Sequence, residues 1–231
     1  MKQALVLFSG GIDSTTALYW AIDRYEHVHA LAFDYGQRHR IEVELAQKVS
    51  QKLSIPLKIL EVDLQQIGGS SLTDPEAPLP PFDRSARDKD GPPSTYVPFR
   101  NGIFLALATA WAEVQGFQEI VCGFHVLDSP DYPDTRREFV KAMEEAINLG
   151  SAASHKQTRI HIQAPFLDMN KAEIINEGLS LGADYAYSVS CYSGGEVPCG
   201  TCDSCRMRKK AWEEVRAEDP LILRLKKEGK L

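Results

Sequence analysis

Residues 4–16 constrain the fold of this chain more than any other stretch, because a short apolar run ends there abruptly in Ser9, Gly10 and Gly11. The apolar run, residues 4–8, predicts a buried strand, and the glycines predict a tight turn. Apolar residues at helical spacing then predict a helix. Backbone amides at such a turn, together with the positive end of the helix, form a concave site for an anion. An ordinary strand, turn and helix with Asp13 and Ser14 as capping residues is the alternative interpretation.

The sequence of this turn excludes two well-known phosphate-binding loops. No lysine follows the second glycine, and positions 12–17 contain no third glycine. The stretch Ser9-Gly10-Gly11-Ile12-Asp13-Ser14 resembles instead the SGGxDS loop of the ATP pyrophosphatase (PP-loop) superfamily. That resemblance implies an enzyme that cleaves ATP between its α- and β-phosphates and adenylates an oxygen of its substrate. Four hydroxyls near the turn are candidate phosphate donors, whereas Asp13 would repel a phosphate unless a metal ion lay between them.

Length and composition predict one α/β domain with a small appendage in 231 residues. The hydrophobic fraction of 43% and the charged fraction of 25% are typical of a soluble globular protein. No apolar run is long enough to span a bilayer, and the first strand leaves no room for a signal peptide. We therefore expect a cytoplasmic protein without a membrane partner. The net charge of −6 argues against sequence-independent binding of nucleic acid.

Further apolar runs at residues 28–33, 57–62, 119–123 and 159–163 alternate with helical patterns. This alternation predicts a parallel sheet, in which ligands bind beyond the carboxyl ends of the strands. Residues 34–39 should then lie beside the glycine turn, although a solvated helix start is the alternative for them. Residues 63–98 hold seven of the chain's 13 prolines and are too long for an ordinary connection, which predicts either a lid or a mobile excursion.

Several charged residues are candidates for a site at this edge. Arg100 is predicted near a helix start, where a cation is disfavoured and an anionic partner is therefore suggested. A paired structural arginine is the alternative. Lys171, beside a strand end, is a candidate for stabilising charge during nucleotidyl transfer. The acidic loop with Asp128 and Asp134 suggests recognition of a donor-rich, guanine-like heterocycle, although Asp134 also fits a cap of the helix that follows it.

Four of the five cysteines stand in the pattern Cys191-x7-Cys199-x2-Cys202-x2-Cys205. Four thiolates in so short a stretch can close around one tetrahedral Zn²⁺, and a full set of protein ligands favours a structural role. An iron–sulfur cluster is the main alternative, since four cysteines ligate both. Free thiols or two disulfides are the weaker alternatives in a reducing compartment. Cys122 is expected to be a small buried apolar residue.

Beyond the glycine turn, further motifs follow in a definite order along the chain. They are Tyr35-x-Gln37-Arg38-His39, Ser94-Thr95-x-Val97-Pro98-x-Arg100-Asn101, Tyr132-Pro133-Asp134-x-Arg136, Asn170-Lys171-Ala172-Glu173, and Cys191-Tyr192 with Cys199-Gly200-x-Cys202-x-x-Cys205. In this combination they resemble the QueC family of queuosine biosynthesis, from about Leu5 to Arg208.

The resemblance implies a Rossmann-like (adenine nucleotide alpha hydrolase-like) α/β fold, with helices flanking a parallel sheet and a small C-terminal zinc-binding knuckle. Residues 1–185 would form the PP-loop ATP-binding domain, with a loop insertion at about 63–98. Residues 186–231 would form the zinc-binding segment and a helix. A homodimer is also implied. The implied ATP-binding residues are Phe8, Ser9, Gly10, Gly11, Ile12, Asp13, Ser14, Thr15, Thr16, Ala17 and Leu18. The implied ligands of one structural zinc are Cys191, Cys199, Cys202 and Cys205.

The implied reaction joins 7-carboxy-7-deazaguanine, ammonia and ATP to give 7-cyano-7-deazaguanine. Since a carboxylate and ammonia form only a salt at neutral pH, adenylation must first turn the carboxyl oxygen into a leaving group. Ammonia then gives an amide, and a second activation leaves the nitrile. We expect ATP with Mg²⁺ as the substrate complex and free ammonia as the nitrogen source, because the chain offers no room for a glutaminase domain. The expected catalytic residues are Asp13, Arg100 and Lys171, and the expected substrate-binding residues are Arg38, Asp128 and Asp134.

Two other functions are consistent with parts of the sequence. The first is a PP-loop enzyme that adenylates tRNA directly, favoured modestly by the basic run Arg206, Arg208, Lys209 and Lys210 but opposed by the overall acidity. The second is a nucleotide-binding sensor on the same fold, opposed by the intact SGGxDS loop. We therefore expect small molecules, and not nucleic acid, as the partners of this chain.

Overall fold

The computed structural model describes residues 2–79, 92–125, 132–152, 155 and 158–231. The strands are Gln3–Leu7 (β1), His27–Asp34 (β2), Leu57–Glu61 (β3), Glu119–Val121 (β4) and His161–Gln163 (β5). The helices are Ile12–Arg24 (α1), Ile41–Leu53 (α2), Arg100–Gln115 (α3), Arg137–Gly150 (α4), Lys171–Ser180 (α5), Asp203–Val215 (α6) and Pro220–Lys227 (α7), with a 3-10 turn at Pro133–Thr135.

The strands form one parallel sheet in the order β3-β2-β1-β4-β5, as the alternating pattern predicted. The chain runs outward from β1 through β2 to β3 and then crosses to β4 and β5 on the other side of β1. A crevice opens where strand order reverses in this way, beyond the carboxyl ends of the strands. The sheet therefore places its ligand crevice beside β1, β2 and β4.

The strand ends differ from the predicted ones by at most two residues, most visibly in β4, which ends at Val121. Beyond that point Gly123 passes against the backbone of Asp13, where an added Cβ would lie 2.7 Å from the Asp13 carbonyl. The close approach brings the end of β4 and the start of α1 together.

Residues of alternate parity on β1 supply the two layers of the core, as the strand period requires. Leu5 packs with Leu105 of α3 and Ile120 of β4 on one face of the sheet. Val6 packs with Leu18 of α1 and Ile174 of α5 on the other face. The sheet is therefore covered on both sides, which confirms the predicted α/β class with flanking helices.

The C-terminal segment packs against the helices of the sheet domain. Trp212 of α6 meets the ring of Tyr185 edge-on, at 5.5 Å between centroids. Leu221 and Leu225 of α7 share a buried cluster with Leu45 of α2. The division into residues 1–185 and 186–231 stays a prediction.

The described ends of the 63–98 insertion belong to the body of the fold. Leu72 and Val97 are buried in the main core, and Ser71 N–H donates to the Ser94 carbonyl at 2.8 Å. The Arg38 guanidinium donates to the carbonyls of Asp74 and Ala77. Residues 80–91 lie outside the described residues. Among the helices that are described, none is both long and apolar enough to cross a bilayer.

Gly178 offers a test of the packing of α5 against Tyr185, whose ring contacts Trp212 of the C-terminal segment. A Cβ added there would lie 1.8 Å from the Tyr185 hydroxyl, which is fully buried and hydrogen-bonded to Thr16 at 2.6 Å. Gly178→Ala should therefore lower the free energy of unfolding by roughly 1–3 kcal/mol. Gly150→Ala is the matched control, because a Cβ on this other helical glycine meets nothing within 4 Å. Urea unfolding at equal metal load measures both, and equal stabilities of the two variants would contradict this packing.

Candidate functional site

A cavity of about 320 Å³ opens at the carboxyl ends of β1, β2 and β4. One end of this cleft is formed by the turn after β1, and the other by residues that follow β2 and precede α3. We call these the phosphate end and the distal end. Residues from the C-terminal segment, including Tyr192 and Arg208, complete its wall.

The glycine turn at the phosphate end holds its backbone open toward the cleft. Gly10 adopts a φ of +85°, and a Cβ there would lie 2.9 Å from the Glu42 carbonyl, so the turn accepts only glycine without strain. Gly11 caps α1 with no side-chain hydrogen bond, which leaves the first backbone N–H groups of the helix available. The Ser9 and Ser14 hydroxyls, 3.1 Å apart, stand beside them. This arrangement can bind an anion such as a phosphate.

The hydroxyls of Thr15 and Thr16 do not face the cleft, although the sequence made them candidate donors. Thr15 donates to the Gly11 carbonyl at 2.8 Å, and Thr16 donates to the Ile12 carbonyl at 3.1 Å. Both are buried in the first turns of α1. Of the predicted ATP-binding residues, those that line the cleft are Phe8, Ser9, Gly11, Ile12, Asp13 and Ser14. Those placed behind it are Gly10, Thr15, Thr16, Ala17 and Leu18.

Asp13 and Lys171 form an ion pair at the phosphate end. Lys171 Nζ lies 2.7 Å from Asp13 Oδ1 and 2.6 Å from Asp13 Oδ2, and it also lies 3.1 Å from His125 Nε2. Lys171 is placed by the start of α5, where Asn170 and Glu173 form a capping box. Two of the three predicted catalytic residues thus meet in space, although 158 positions separate them in the chain.

The Asp13 carboxylate is held in its ionised form. Burial acts to raise its pKa, but attraction to Lys171 and His125, with hydrogen bonds from both, outweighs burial and holds the pKa of Asp13 well below its usual range. An ionised carboxylate is a ligand that a hard divalent cation prefers. The phosphate end can therefore hold an anion and a divalent cation together.

The distal end combines aromatic surface with the Arg100 guanidinium and the Glu42 carboxyl group, whose pKa is raised by burial to about 8. Tyr35 and Tyr192 line it, and the Arg100 guanidinium donates to the Tyr35 hydroxyl at 3.3 Å. Glu42 lies in the first turn of α2, with its Oε2 3.5 Å from His39 Nε2. Burial lowers the pKa of His39 to about 4, so its imidazole is neutral at neutral pH. Tyr35, Gln37 and His39 accordingly line the same cleft as the glycine turn, and the sequence predicted residues 34–39 near that turn.

Two predicted substrate-binding residues are not in the cleft. The Arg38 side chain turns away and holds the described part of the 63–98 insertion through the carbonyls of Asp74 and Ala77. Asp134 is 2% exposed, and its Oδ2 accepts a hydrogen bond from the backbone N–H of Asn101 at 3.0 Å. The prediction that Asp134 caps α4 is wrong, because it caps α3 instead. Asp128 lies outside the described residues.

The four predicted cysteine ligands come together in the C-terminal segment. Their sulfur atoms, on Cys191, Cys199, Cys202 and Cys205, all lie within 4.8 Å of one another. Sulfur atoms around a tetrahedral zinc are about 3.8 Å apart, since each zinc–sulfur bond is about 2.3 Å. The separation of 3.9 Å between the sulfurs of Cys199 and Cys205 fits this geometry. The cluster can therefore bind one metal ion.

Comparison with known proteins agrees with this geometry. The model of the family described as "Queuosine biosynthesis protein QueC" matches residues 3–216. The chain belongs to the QueC family. Proteins named 7-cyano-7-deazaguanine synthase match this QueC member along almost their whole length. The one from Saccharophagus degradans is 44% identical over 226 residues, which cover 95% of this chain and 96% of that protein. The one from Thermoplasma acidophilum is also 44% identical, over 95% of this chain and 91% of that protein.

Two solved structures show the same fold as this QueC member. A 4-thiouridine synthetase, in an RNA complex with bound ATP, has a TM-score of 0.51 and 19% identity over 93% of this chain and 50% of that one. The NMN synthetase of Francisella tularensis has a TM-score of 0.51 and 10% identity over 93% of this chain and 77% of that one. At such identities the likeness concerns the fold alone.

Sequence reasoning missed His125, Glu42 and Tyr192 as residues of the cleft. His125 stands shortly after β4, at a strand end where a ligand contact is expected, so its position was a usable signal. Glu42 occupies a helix start, where an acidic residue is common for electrostatic reasons alone. Tyr192 reaches the cleft because the cysteine segment folds back against it, and no local sequence pattern predicts that contact.

Metal analysis tests the cysteine cluster. We expect one metal ion per chain, and Cys205→Ser should reduce this content severely because it removes one of four ligands. Cys122→Ala is the matched control, since that thiol is buried beside β4, apart from the cluster. Inductively coupled plasma mass spectrometry gives both the content and the element. A full metal content in Cys205→Ser, or an equal loss of metal in Cys122→Ala, would contradict the assignment of the cysteine cluster as the metal-binding site.

Proposed function

We propose that this protein is a 7-cyano-7-deazaguanine synthase, which converts 7-carboxy-7-deazaguanine and ammonia to the nitrile at the expense of ATP. The observation that carries the proposal is near full-length similarity to proteins of that name. The cleft supports it, because an anion-binding turn with an ion-paired carboxylate stands at one end and an aromatic, charged surface at the other.

The chemistry requires the same site to activate oxygen twice. Attack of the substrate carboxylate on the α-phosphate forms an acyl adenylate and releases pyrophosphate. Ammonia displaces AMP and gives the amide. The amide oxygen then attacks the α-phosphate of a second ATP and releases a second pyrophosphate. Loss of AMP with two protons leaves the nitrile. The protein supplies mostly position and charge neutralisation in such transfers.

At the phosphate end, the available amides of the glycine turn and the Ser9 and Ser14 hydroxyls would hold the β- and γ-phosphates. Lys171 would neutralise charge that develops on the α-phosphate. Asp13 would bind the Mg²⁺ that accompanies ATP, and its lowered pKa keeps it in the required form. His125 contacts both side chains and would fix their positions.

At the distal end, Arg100 would pair with the substrate carboxylate or the α-phosphate. Its guanidinium contacts the Tyr35 hydroxyl and makes no ion pair with a carboxylate of the described residues. Asp128 remains a proposed contact of the heterocycle on sequence grounds. For Arg38 and Asp134 the placement favours a positioning role, since one holds the insertion and the other holds the start of α3.

The metal of the cysteine cluster would be zinc in a structural role, with all four sulfurs as ligands. Bound zinc would close the segment that carries Tyr192 to the cleft. Iron in the metal analysis would instead favour the alternative of a cluster enzyme that modifies tRNA. The basic run gives that alternative less support than its charge suggests, because two of its members are paired within the chain. Arg208 pairs with Asp219, and Lys210 pairs with Glu214 at 3.3 Å.

Free ammonia is the proposed nitrogen source. Glutaminases of the cysteine type need a reactive thiolate, and four of the five cysteines in this sequence form the metal cluster. The fifth, Cys122, is fully buried, and burial raises its pKa to about 12. A cytoplasmic homodimer that binds small molecules and no nucleic acid completes the proposal.

The product test uses the purified chain with 7-carboxy-7-deazaguanine, ATP, Mg²⁺ and ammonium. Mass spectrometry should show the nitrile, the intermediate amide, AMP and pyrophosphate, whereas glutamine in place of ammonium should give no nitrile. Absence of the nitrile with the metal cluster loaded would overturn the proposed function. Turnover with glutamine alone would overturn only the nitrogen source.

Asp13→Asn tests the phosphate end. Loss of the carboxylate should reduce kcat by about 100-fold or more, because the metal ligand and the partner of Lys171 are removed together. Asp23→Asn, on an exposed position of the same helix, is the matched control and should keep the wild-type rate. Pyrophosphate release measures both, and thermal unfolding checks that the fold is kept. A near-normal rate in Asp13→Asn would contradict the assignment.

A further inference from the structure

The distal end of the cleft contains a carboxylate to which the proposed chemistry gives no role. The Glu42 side chain lines the cavity and is only 13% exposed. Among the residues that the structure describes, its contact is His39 Nε2 at 3.5 Å, which is beyond a good hydrogen bond. Burial raises the pKa of Glu42 to about 8, because its ionised form has no donor to replace water. A ligand that brings N–H groups to this side chain stabilises the ionised form and gains binding energy.

Its surroundings point to a flat heterocycle as that ligand. Tyr35, Tyr192 and Phe104 give aromatic surface to the same part of the cleft. His39 is 5% exposed, and its Nδ1 has no hydrogen-bond partner among the described residues. Arg100 adds a cation without a carboxylate partner there. The distal end therefore offers stacking surface, an acceptor and a cation to one molecule.

A 7-carboxy-deazaguanine has the complementary groups. Its pyrimidine ring carries N1–H and a 2-amino group side by side, which only acceptors can satisfy, while its carboxylate requires a cation. A carboxylate can accept two parallel hydrogen bonds from such an edge. Adenine fits less well, because its N1 is an acceptor and would face the Glu42 oxygen.

We propose that Glu42 selects the guanine-type heterocycle by accepting hydrogen bonds from its N1–H and 2-amino groups. This inference rests on the proposed function and adds a specificity-determining residue to it. A purely electrostatic role at the start of α2 would not require burial in the cleft. Glu44 stands in the same first turn of α2 and is exposed, so it separates the two roles.

The test compares 7-carboxy-7-deazaguanine with its analogue that lacks the 2-amino group. The wild-type protein should prefer the former by roughly 10- to 100-fold in kcat/KM, the range expected for a hydrogen bond to a charged group. Glu42→Gln should lose most of this preference by a raised KM for 7-carboxy-7-deazaguanine. Glu44→Gln should keep it. The KM for ATP should change little in either variant.

Each outcome decides between the possibilities. A Glu42→Gln variant that keeps the wild-type preference overturns the inference, and so does one whose main defect is a raised KM for ATP. Failure of the wild-type protein to convert either compound is a failure of the proposed function instead. If Glu42→Gln does not fold, Glu42→Asp is tested in its place. Aspartate keeps the carboxyl group but, being one methylene shorter, moves it away from the bound heterocycle. The KM of this variant for 7-carboxy-7-deazaguanine should rise more than that for the analogue, which has only one of the two hydrogen bonds to lose, and an equal effect on both compounds overturns the inference.

Discussion

The ion pair between Asp13 and Lys171 is the interaction on which the cleft depends. It joins the first turns of α1 and α5, which flank the point where strand order reverses in the sheet. A lysine at the start of a helix is disfavoured by the helix dipole, and the Asp13 carboxylate offsets that cost. Partly buried ion pairs of this kind add little net stability, because the cost of removing the charges from water offsets their attraction. What the pair contributes is a contact between α1 and α5 at the phosphate end and a carboxylate that stays ionised there.

The cleft divides its chemistry between two ends that different parts of the chain supply. The phosphate end comes from backbone amides and from a few polar side chains near α1 and α5. The distal end comes from side chains on the loop after β2, from the start of α3 and from the cysteine segment. Backbone amides suit a phosphate, which is the same in every ATP-dependent reaction. Side chains suit a more specific ligand, because they can present one pattern of donors and acceptors.

The cysteine segment supports the cleft as well as its own fold. Cys191 precedes Tyr192, which lines the distal end, and Gly194 lies against the backbone of Arg38, where an added Cβ would be 2.5 Å from the Arg38 carbonyl. Leu45 of α2 packs in the same buried cluster as three of the cysteines. Because the segment touches α2 and the loop before it, closing the cysteines around a metal would also hold the residues that line the distal end of the cleft.

The sequence by itself determined the fold class, the glycine turn and the cysteine set, since each is encoded locally. Apolar runs of strand length specify the parallel sheet, Gly10 and Gly11 specify the turn, and the spacing of Cys191 to Cys205 brings four sulfurs together within one short segment. Only the tertiary structure decided which charged residues enter the cleft. In the folded chain Asp13 pairs with Lys171, and the Glu42 side chain points into the cleft. Arg38 and Asp134 instead hydrogen-bond to backbone groups outside the cleft. Charge and helix position are visible in a sequence, but the direction of a side chain depends on distant elements that pack around it.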